Sequence, residues 1–253
     1  MTIRVGTSGW QYRDWRGRFY PKDMAQREWL AHYATRFDTV EVNNSFYRLP
    51  ETTTFQRWRD GTPAGFLVTV KASRYLTHIK RLREPADPLE LLLTRMSALG
   101  DALGPVLFQL PPNFPADLPR LRELLDTIGG RVRTAVEFRH PTWMREDVLE
   151  ALDAAGAALV LADRAGVRSD PIVTGGWSYV RFHQGTRLRS GYRKDTLRLW
   201  ADRIVALALD DVFVYFNNDP GAAAPRDADR LIEMLRRRGM SVSTAAEHSE
   251  PRG

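Results

Sequence analysis

Short apolar runs alternate along the chain with longer stretches whose apolar residues recur at helical spacing. The runs are "IRVGT", "TVEVN", "FLVTVK", "PVLFQL", "TAVEF", "AALVLAD", "SYVRFH" and "VFVYFNN". Each has the length and the β-branched or aromatic content of a strand, and they follow one another about 20 to 40 residues apart, the spacing of βα units. Between them, Met24 to Phe37 carries Trp29, Leu30, Tyr33 and Phe37 at helical spacing. Pro88 to Leu103, Leu118 to Ile128, Glu146 to Ala155, Thr196 to Leu209 and Asp227 to Arg238 read likewise, and "ETTTFQRWRD" predicts a shorter helix. After "LVLAD", the stretch "RAGVRSDPIVTGG" has Pro, paired Gly and no apolar period, so a full helix is missing there.

Successive side chains of a strand point to opposite faces, so each run splits in two. In "TVEVN", Glu41 and Asn43 share the face of Thr39, opposite Val40 and Val42. Lys71 joins Thr69, Gln109 joins Leu107, and Glu137 and Arg139 join Ala135, each set opposed by Val or Phe. In strand six the same reading groups Asp163 with Leu159 and Leu161. Arg181 and His183 join Tyr179 in strand seven, and Tyr215 and Asn217 join Phe213 in strand eight. One face is thus apolar, while the other turns polar toward the C-terminal end. An open sheet covered by helices on both sides needs both faces apolar. A closed barrel lays the apolar face on its helices and gathers the polar ends at its C-terminal mouth. The expectation is a single-domain α/β fold, a (β/α)8 TIM-barrel-like domain over residues 1–240 without a full helix after strand six. Residues 241–253 read as a flexible C-terminal tail.

Length and composition narrow the setting. The chain of 253 residues suffices for one large domain, and no linker, low-complexity tract or repeat divides it. No apolar run reaches the ~18 residues of a membrane span, and "MTIRVGTSGW" lacks the apolar core of a signal peptide. A cytoplasmic protein without a membrane partner is expected. The lack of cysteine removes disulfides, thiolate nucleophiles and Cys-built zinc sites. A formal charge of +6 leans toward anionic partners, yet the Arg residues are spread along the whole chain. Nucleic-acid binding or processing is therefore an alternative reading rather than the leading one.

Several motifs occur in fixed order: "GTSGWQYRDWRGRFYP", "VEVNNSFYRLP", "VKASRYLTH", "VLFQLPPNF", "VEFRHPTW", "YVRFH" and "VYFNN". With them the chain resembles the DUF72 family, the YecE-like proteins, from Gly6 to about Asn218. The resemblance implies a TIM-barrel-like fold and supplies no reaction, the family's biochemical role not being established. One departure stands out: Gln184 intervenes between His183 and Gly185, where Gly is expected directly after the histidine.

The chemistry must then be argued from the converging side chains. No P-loop, zincin, nucleophile-elbow or dinucleotide-binding signature is present. Glu41, Glu137, His183 and Asp163 are the candidate acid, base or nucleophilic groups. Lys71, Arg139 and Arg181 would bind or neutralise an anionic group, and Asn43, Gln109 and Asn217 would orient it. Trp10 and Tyr12 lie in the loop after strand one, where they would contact a ligand; the surrounding "GWQYRDWRGRFYP" reads as a packed lid. This set suits acid/base chemistry on an anionic (phosphorylated or carboxylated) or polyhydroxylated small molecule, by a hydrolase or an isomerase or lyase. Three other readings stay open. Glu41 and Glu137 as a carboxylate pair, with aromatic platforms, would suit a glycoside hydrolase. Glu137, Asp163, His183 and Asn217 would suit a divalent metal, although Arg139 and Arg181 on the same faces would repel it, so no cofactor is favoured. A non-catalytic binding protein would keep the charges only as a stabilising network.

Overall fold

All eight apolar runs become strands, and their hydrogen-bond ladders close on themselves. The computed structural model describes residues 2–164, 167–184 and 190–243. The strands are β1 (Thr2–Ser8), β2 (Thr39–Val42), β3 (Leu67–Lys71), β4 (Leu103–Gln109), β5 (Thr134–Glu137), β6 (Ala158–Arg164), β7 (Val167–Arg168), β8 (Ser178–Gln184), β9 (Asp211–Phe216) and β10 (Val242–Ser243). Eight of them, all but β7 and β10, form one parallel cylinder that shuts where β1 pairs with both β2 and β9. The chain is a single TIM-barrel-like α/β domain, as the strand faces predict.

Helices return the chain between most strands: α1 (Trp29–Tyr33), α2 (Asn44–Tyr47), α3 (Thr52–Asp60), α4 (Ala86–Met96), α5 (Leu118–Ile128), α6 (Glu146–Ala154), α7 (Lys194–Ala206) and α8 (Ala223–Arg236). The first is shorter than its periodicity predicts, because Gln26–Glu28 forms a separate 3-10 turn before it. No helix follows β6 among the described residues. Instead β7 turns back antiparallel on β6, pairing Arg168 with Asp163, and the chain then runs irregularly to β8. Thr174 pins that run, accepting from the Leu159 N–H at 2.8 Å and donating to the Ala157 carbonyl at 2.7 Å.

The outer strand faces pack on the helices as one apolar layer, with Val40, Val70, Phe108, Val136, Val180 and Phe216 among its members. The inner faces hold a smaller dry plug of Leu107, Ala135, Ala158, Val160, Tyr179, Phe213 and Tyr215. This division corrects strand six. Ala158 and Val160 point inward, whereas Leu159 and Leu161 join the helix-facing layer and carry Asp163 with them. Both faces of "ALVLA" are apolar, so polarity alone could not orient the strand.

At β1 and β2 the ladder is interrupted. They pair only at Thr7 and Ser8, while Ile3 and Arg4 pair with β10 instead. Val242 and Ser243, assigned by sequence to a flexible tail, are thus a paired strand; the rest of that tail, residues 244–253, lies outside the described residues. Gly185, the site of the motif departure, lies outside them as well. Where the two strands diverge, the Tyr33 hydroxyl stands between them. It accepts from the Thr7 N–H at 2.8 Å and donates to the Thr39 carbonyl at 3.0 Å. Gly6 makes room for this approach, since a Cβ there would sit 2.2 Å from the Thr39 carbonyl oxygen. Tyr33→Phe strands two buried backbone groups. It should lower the unfolding free energy by about 1–3 kcal/mol, read as a fall in the urea midpoint at constant m-value.

Candidate functional site

The floor of the barrel interior is uncharged. The Tyr215 hydroxyl lies 2.7 Å from both Thr39 Oγ1 and Thr69 Oγ1, closing the space beneath the charged residues. Directly above it sits Arg181, fully buried, between two fully buried carboxylates. Its Nη2 donates to Glu41 Oε1 at 2.7 Å and its Nη1 to Glu137 Oε2 at 2.5 Å. One guanidinium therefore bridges β2 and β5 across the barrel.

Glu41 is fully engaged inside the protein. Besides Arg181 it accepts from Ser8 Oγ at 2.7 Å and from the Tyr179 hydroxyl at 2.5 Å. Burial pushes its pKa up, but Arg181 and these donors outweigh that and hold it below the ordinary carboxylate value. Glu137 lies nearer the mouth. Its Oε2 accepts from Gln109 Nε2 at 2.7 Å, and its Oε1 gathers Arg164 Nη2 (2.7 Å), His183 Nε2 (3.0 Å) and Arg139 Nε (3.3 Å). Burial pushes its pKa up, but the Arg181 charge, the His183 hydrogen bond and the Arg139 charge outweigh that and hold Glu137 ionised well below its usual range.

Since the Glu137 carboxylate can only accept, His183 must carry its hydrogen on Nε2, which leaves Nδ1 as the acceptor nitrogen. Burial lowers the His183 pKa, and the Glu137 charge offsets this only in part, so the ring is neutral at pH 7. The ladder between β6 and β8 slips by one residue at this level, between Asp163 and Arg164, a local irregularity of the kind that re-aims side chains at barrel rims.

Lys71 completes the inner set. Its Nζ donates to Gln109 Oε1 at 3.0 Å and lies 4.3 Å from the centre of the Phe46 ring. Among the described residues no carboxylate lies within ion-pair distance of it. Burial, then the nearby Arg181 charge, lowers its pKa to about 8. Gln109 thus relays between an ammonium and a carboxylate, which fixes the orientation of its amide.

Within this network four cations (Lys71, Arg139, Arg164 and Arg181) stand against two carboxylates. Among the described residues, Arg139 bonds Glu137 through Nε alone, no protein acceptor takes its two terminal nitrogens, and its side chain is partly exposed. Arg139 and Arg164 also line a cleft of about 280 Å³ between the loops after β5 and β6, together with His140, Met144, Arg168 and one acid, Asp170. A second cleft of about 210 Å³ opens on the other side of the mouth, lined by Gly9–Tyr12 and Val42–Asn44.

Most residues singled out in the sequence meet here. Glu41, Lys71, Gln109, Glu137, Arg139, Arg181 and His183 form one connected network, and Asn43 reaches Asn217 Oδ1 at 3.4 Å beside it. Asp163 does not belong. Its carboxylate accepts from Trp200 Nε1 of α7 at 2.8 Å on the helix side of β6, which removes it from the acid/base set and from the metal set built on it. Among the described residues no group of three His, Asp or Glu side chains is placed to hold a metal ion. Trp10 is buried edge-on against Trp58, and Trp15 and Tyr20 are buried below it, so the loop after β1 packs as a lid while its Arg residues face solvent. Arg164 was missed in the sequence because it follows Asp163 on the opposite face. Tyr179 was placed on the inner face beside Arg181 but given no role, and Ser8 is an ordinary strand-end residue that spacing does not single out.

The comparisons fit this architecture. The family described as "Protein of unknown function DUF72" matches residues 4–252. The chain belongs to the DUF72 family. It is 38% identical over 113 residues to UPF0759 protein YecE of Escherichia coli K12, a match that spans only 42% of that protein. With UPF0759 protein YunF of Bacillus subtilis it shares 28% identity, over 92% of this chain and 94% of that one. A DUF72 protein of Thermotoga maritima superposes with a TM-score of 0.82 at 28% identity, covering 93% of this chain and 100% of that one. One from Enterococcus faecalis gives 0.78 at 18%, covering 92% and 95%, which speaks to the fold alone. The motifs that carry the DUF72 resemblance also carry the mouth: "VEVNN" brings Glu41 and Asn43, "VEFRH" brings Glu137 and Arg139, and "YVRFH" brings Arg181 and His183.

Two substitutions in this DUF72 mouth should move stability in opposite directions. Arg181→Met leaves two buried carboxylates without their shared cation and should cost about 3–5 kcal/mol. Lys71 has a folded pKa of about 8, below its unfolded value. The fold therefore disfavours its ammonium, and the stability available at higher pH is lost as pH falls through about 8. Lys71→Met should raise stability at pH 7 by on the order of 1–3 kcal/mol, with the gain shrinking above pH 10 in calorimetric scans.

Proposed function

We propose that the barrel mouth binds a small molecule bearing a phosphate or carboxylate, held by Lys71, Arg139 and Arg164, with His183 as the proton acceptor beside it. The observation that carries this reading is the surplus of cation at the mouth. A network serving only stability needs its charges matched, whereas Lys71 is buried against a neutral amide and Arg139 keeps two donors for something outside the protein. Glu137 then works as a fixed carboxylate that aims His183, leaving Nδ1 to take a proton from the ligand. An enzyme on this plan would use base chemistry rather than a protonated carboxyl.

The glycosidase alternative asks one glutamate to donate a proton and the other to reach a sugar carbon. Glu41 is buried with both oxygens taken by Ser8, Tyr179 and Arg181, so it has no free approach. An oligonucleotide would also meet the cations, and competition by single nucleotides against longer strands separates that case.

The test is ligand-induced stabilisation at constant ionic strength. Inorganic phosphate should raise the melting temperature relative to chloride, by about 1.4 kcal/mol of stabilisation at ten times its Kd. Arg139→Ala and Lys71→Met should each weaken that binding tenfold or more, and added salt should weaken it in the wild type. No stabilisation by phosphate or carboxylates at 10–100 mM (roughly the limit for a useful site at ~−2 kcal/mol) would leave only a non-catalytic ion network.

A further inference from the structure

The mouth is electrically lopsided. Its outer cations stand on β3, just past β5 and at the end of β6, while the rim over β1, β2 and β9 carries amides, an aromatic wall and one carboxyl. On that side lies the cleft of about 210 Å³ bounded by Trp10, Tyr12, Asn43 and Asn44. Asn43 follows directly on β2, whose last residue Val42 pairs with Val70 next to Lys71, so the cleft opens beside the cationic set.

Two buried acceptor oxygens at this rim have no partner: Asn43 Oδ1 and Asp219 Oδ1. The orientation of Asn43 is set by its surroundings, because its Nδ2 lies between the Ser8 carbonyl (3.5 Å) and Asn217 Oδ1 (3.4 Å), which leaves Oδ1 as the unmatched atom. Tyr12 gives its hydroxyl hydrogen to the Ser8 carbonyl at 2.6 Å, so Asp219, which is within hydrogen-bonding reach of Tyr12, receives no hydrogen from it. Burial, and then the charge of Glu41, raise the Asp219 pKa to about 7, so near neutrality this carboxyl can offer either a hydrogen or a lone pair. Unmatched buried acceptors are costly and are met by donors brought from outside. Hydroxyl groups meet that need, and they also suit the flat aromatic wall and the absence of any Lys or Arg among the cleft's lining residues.

We infer that the cleft over β1 and β2 is a second subsite, lined by Asn43 and Tyr12 with Asp219 behind Tyr12, for the hydroxylated portion of a ligand whose anionic group occupies the cationic side. The ligand class is a phosphorylated or carboxylated polyol or sugar of small size, lying across the mouth above the Glu41–Arg181–Glu137 bridge. This inference rests on the proposed anion site, and the two can fail separately.

The experiment is calorimetric titration of the full chain with inorganic phosphate, glycerol 3-phosphate, glucose 6-phosphate and glucose. At least one ester should bind tenfold or more tighter than inorganic phosphate. Asn43→Ala should abolish that advantage while leaving the phosphate affinity within about twofold, and Asp219→Ala should do the same as an independent check should the first variant fold poorly. Arg139→Ala should weaken phosphate and ester together. Equal affinity for phosphate and both esters, or equal loss for all of them on Asn43→Ala, overturns the second subsite and leaves the anion site standing. Binding of glucose with no binding of phosphate overturns the anion site, and no binding of any of the four overturns both.

Discussion

The barrel is organised around one buried charge. Arg181 sits in a dry interior where an unpaired guanidinium would be prohibitively costly, and Glu41 and Glu137 reach it from opposite walls. That arrangement dictates much of what surrounds it. Each carboxylate has further lone pairs that must be met, and Ser8, Tyr179, Gln109, Arg164 and His183 supply the donors. The neutral layer of Thr39, Thr69 and Tyr215 beneath then seals the bridge from the apolar plug. A buried bridge of this kind adds little net stability, but it fixes which side chains stand at the mouth and how they point.

The same constraint separates support from chemistry. Glu41, enclosed and fully bonded, is a positioning residue for Arg181. Glu137 faces both ways, anchoring Arg181 below and collecting the rim donors above. What lies beyond Glu137 is where the matching of charge stops: Lys71 on a neutral amide, Arg139 bonded through Nε alone, and unmatched acceptors on the opposite rim. Imbalance of that kind has a cost in the free protein, and a ligand with an anionic end relieves it. The closed cylinder makes this possible, since strands distant in sequence deliver their ends to one face.

Much of this was readable before any coordinates. A period of two places Glu41, Lys71, Gln109, Glu137, Arg181 and His183 on inward faces, because their strands have one clearly apolar side. The reading broke at strand six, where "ALVLADR" offers apolar residues on both faces and a single carboxylate to choose by. Asp163 took the helix side because Trp200 of α7 offers its indole N–H there, a tertiary partner that spacing does not reveal. Arg164, its neighbour, became the mouth residue instead. Tyr33, which replaces a ladder bond between β1 and β2, and Val242 and Ser243, which fill the gap below, depend on a strand divergence that only the assembled barrel displays. Asp219 was invisible for the same reason, its environment being made by Tyr12 and Glu41 from the other end of the chain.

The central claim is that both buried glutamates are permanently ionised on Arg181 and so serve an anion-receiving mouth instead of acting as acids. The most direct measurement is a pH titration of the glutamate side-chain carboxyl carbons by NMR, with Glu41→Gln and Glu137→Gln for assignment. The account expects these two signals to stay at carboxylate positions while exposed glutamates protonate near their ordinary pKa of about 4.3. A midpoint for either one near neutrality would contradict it and make that residue a proton donor.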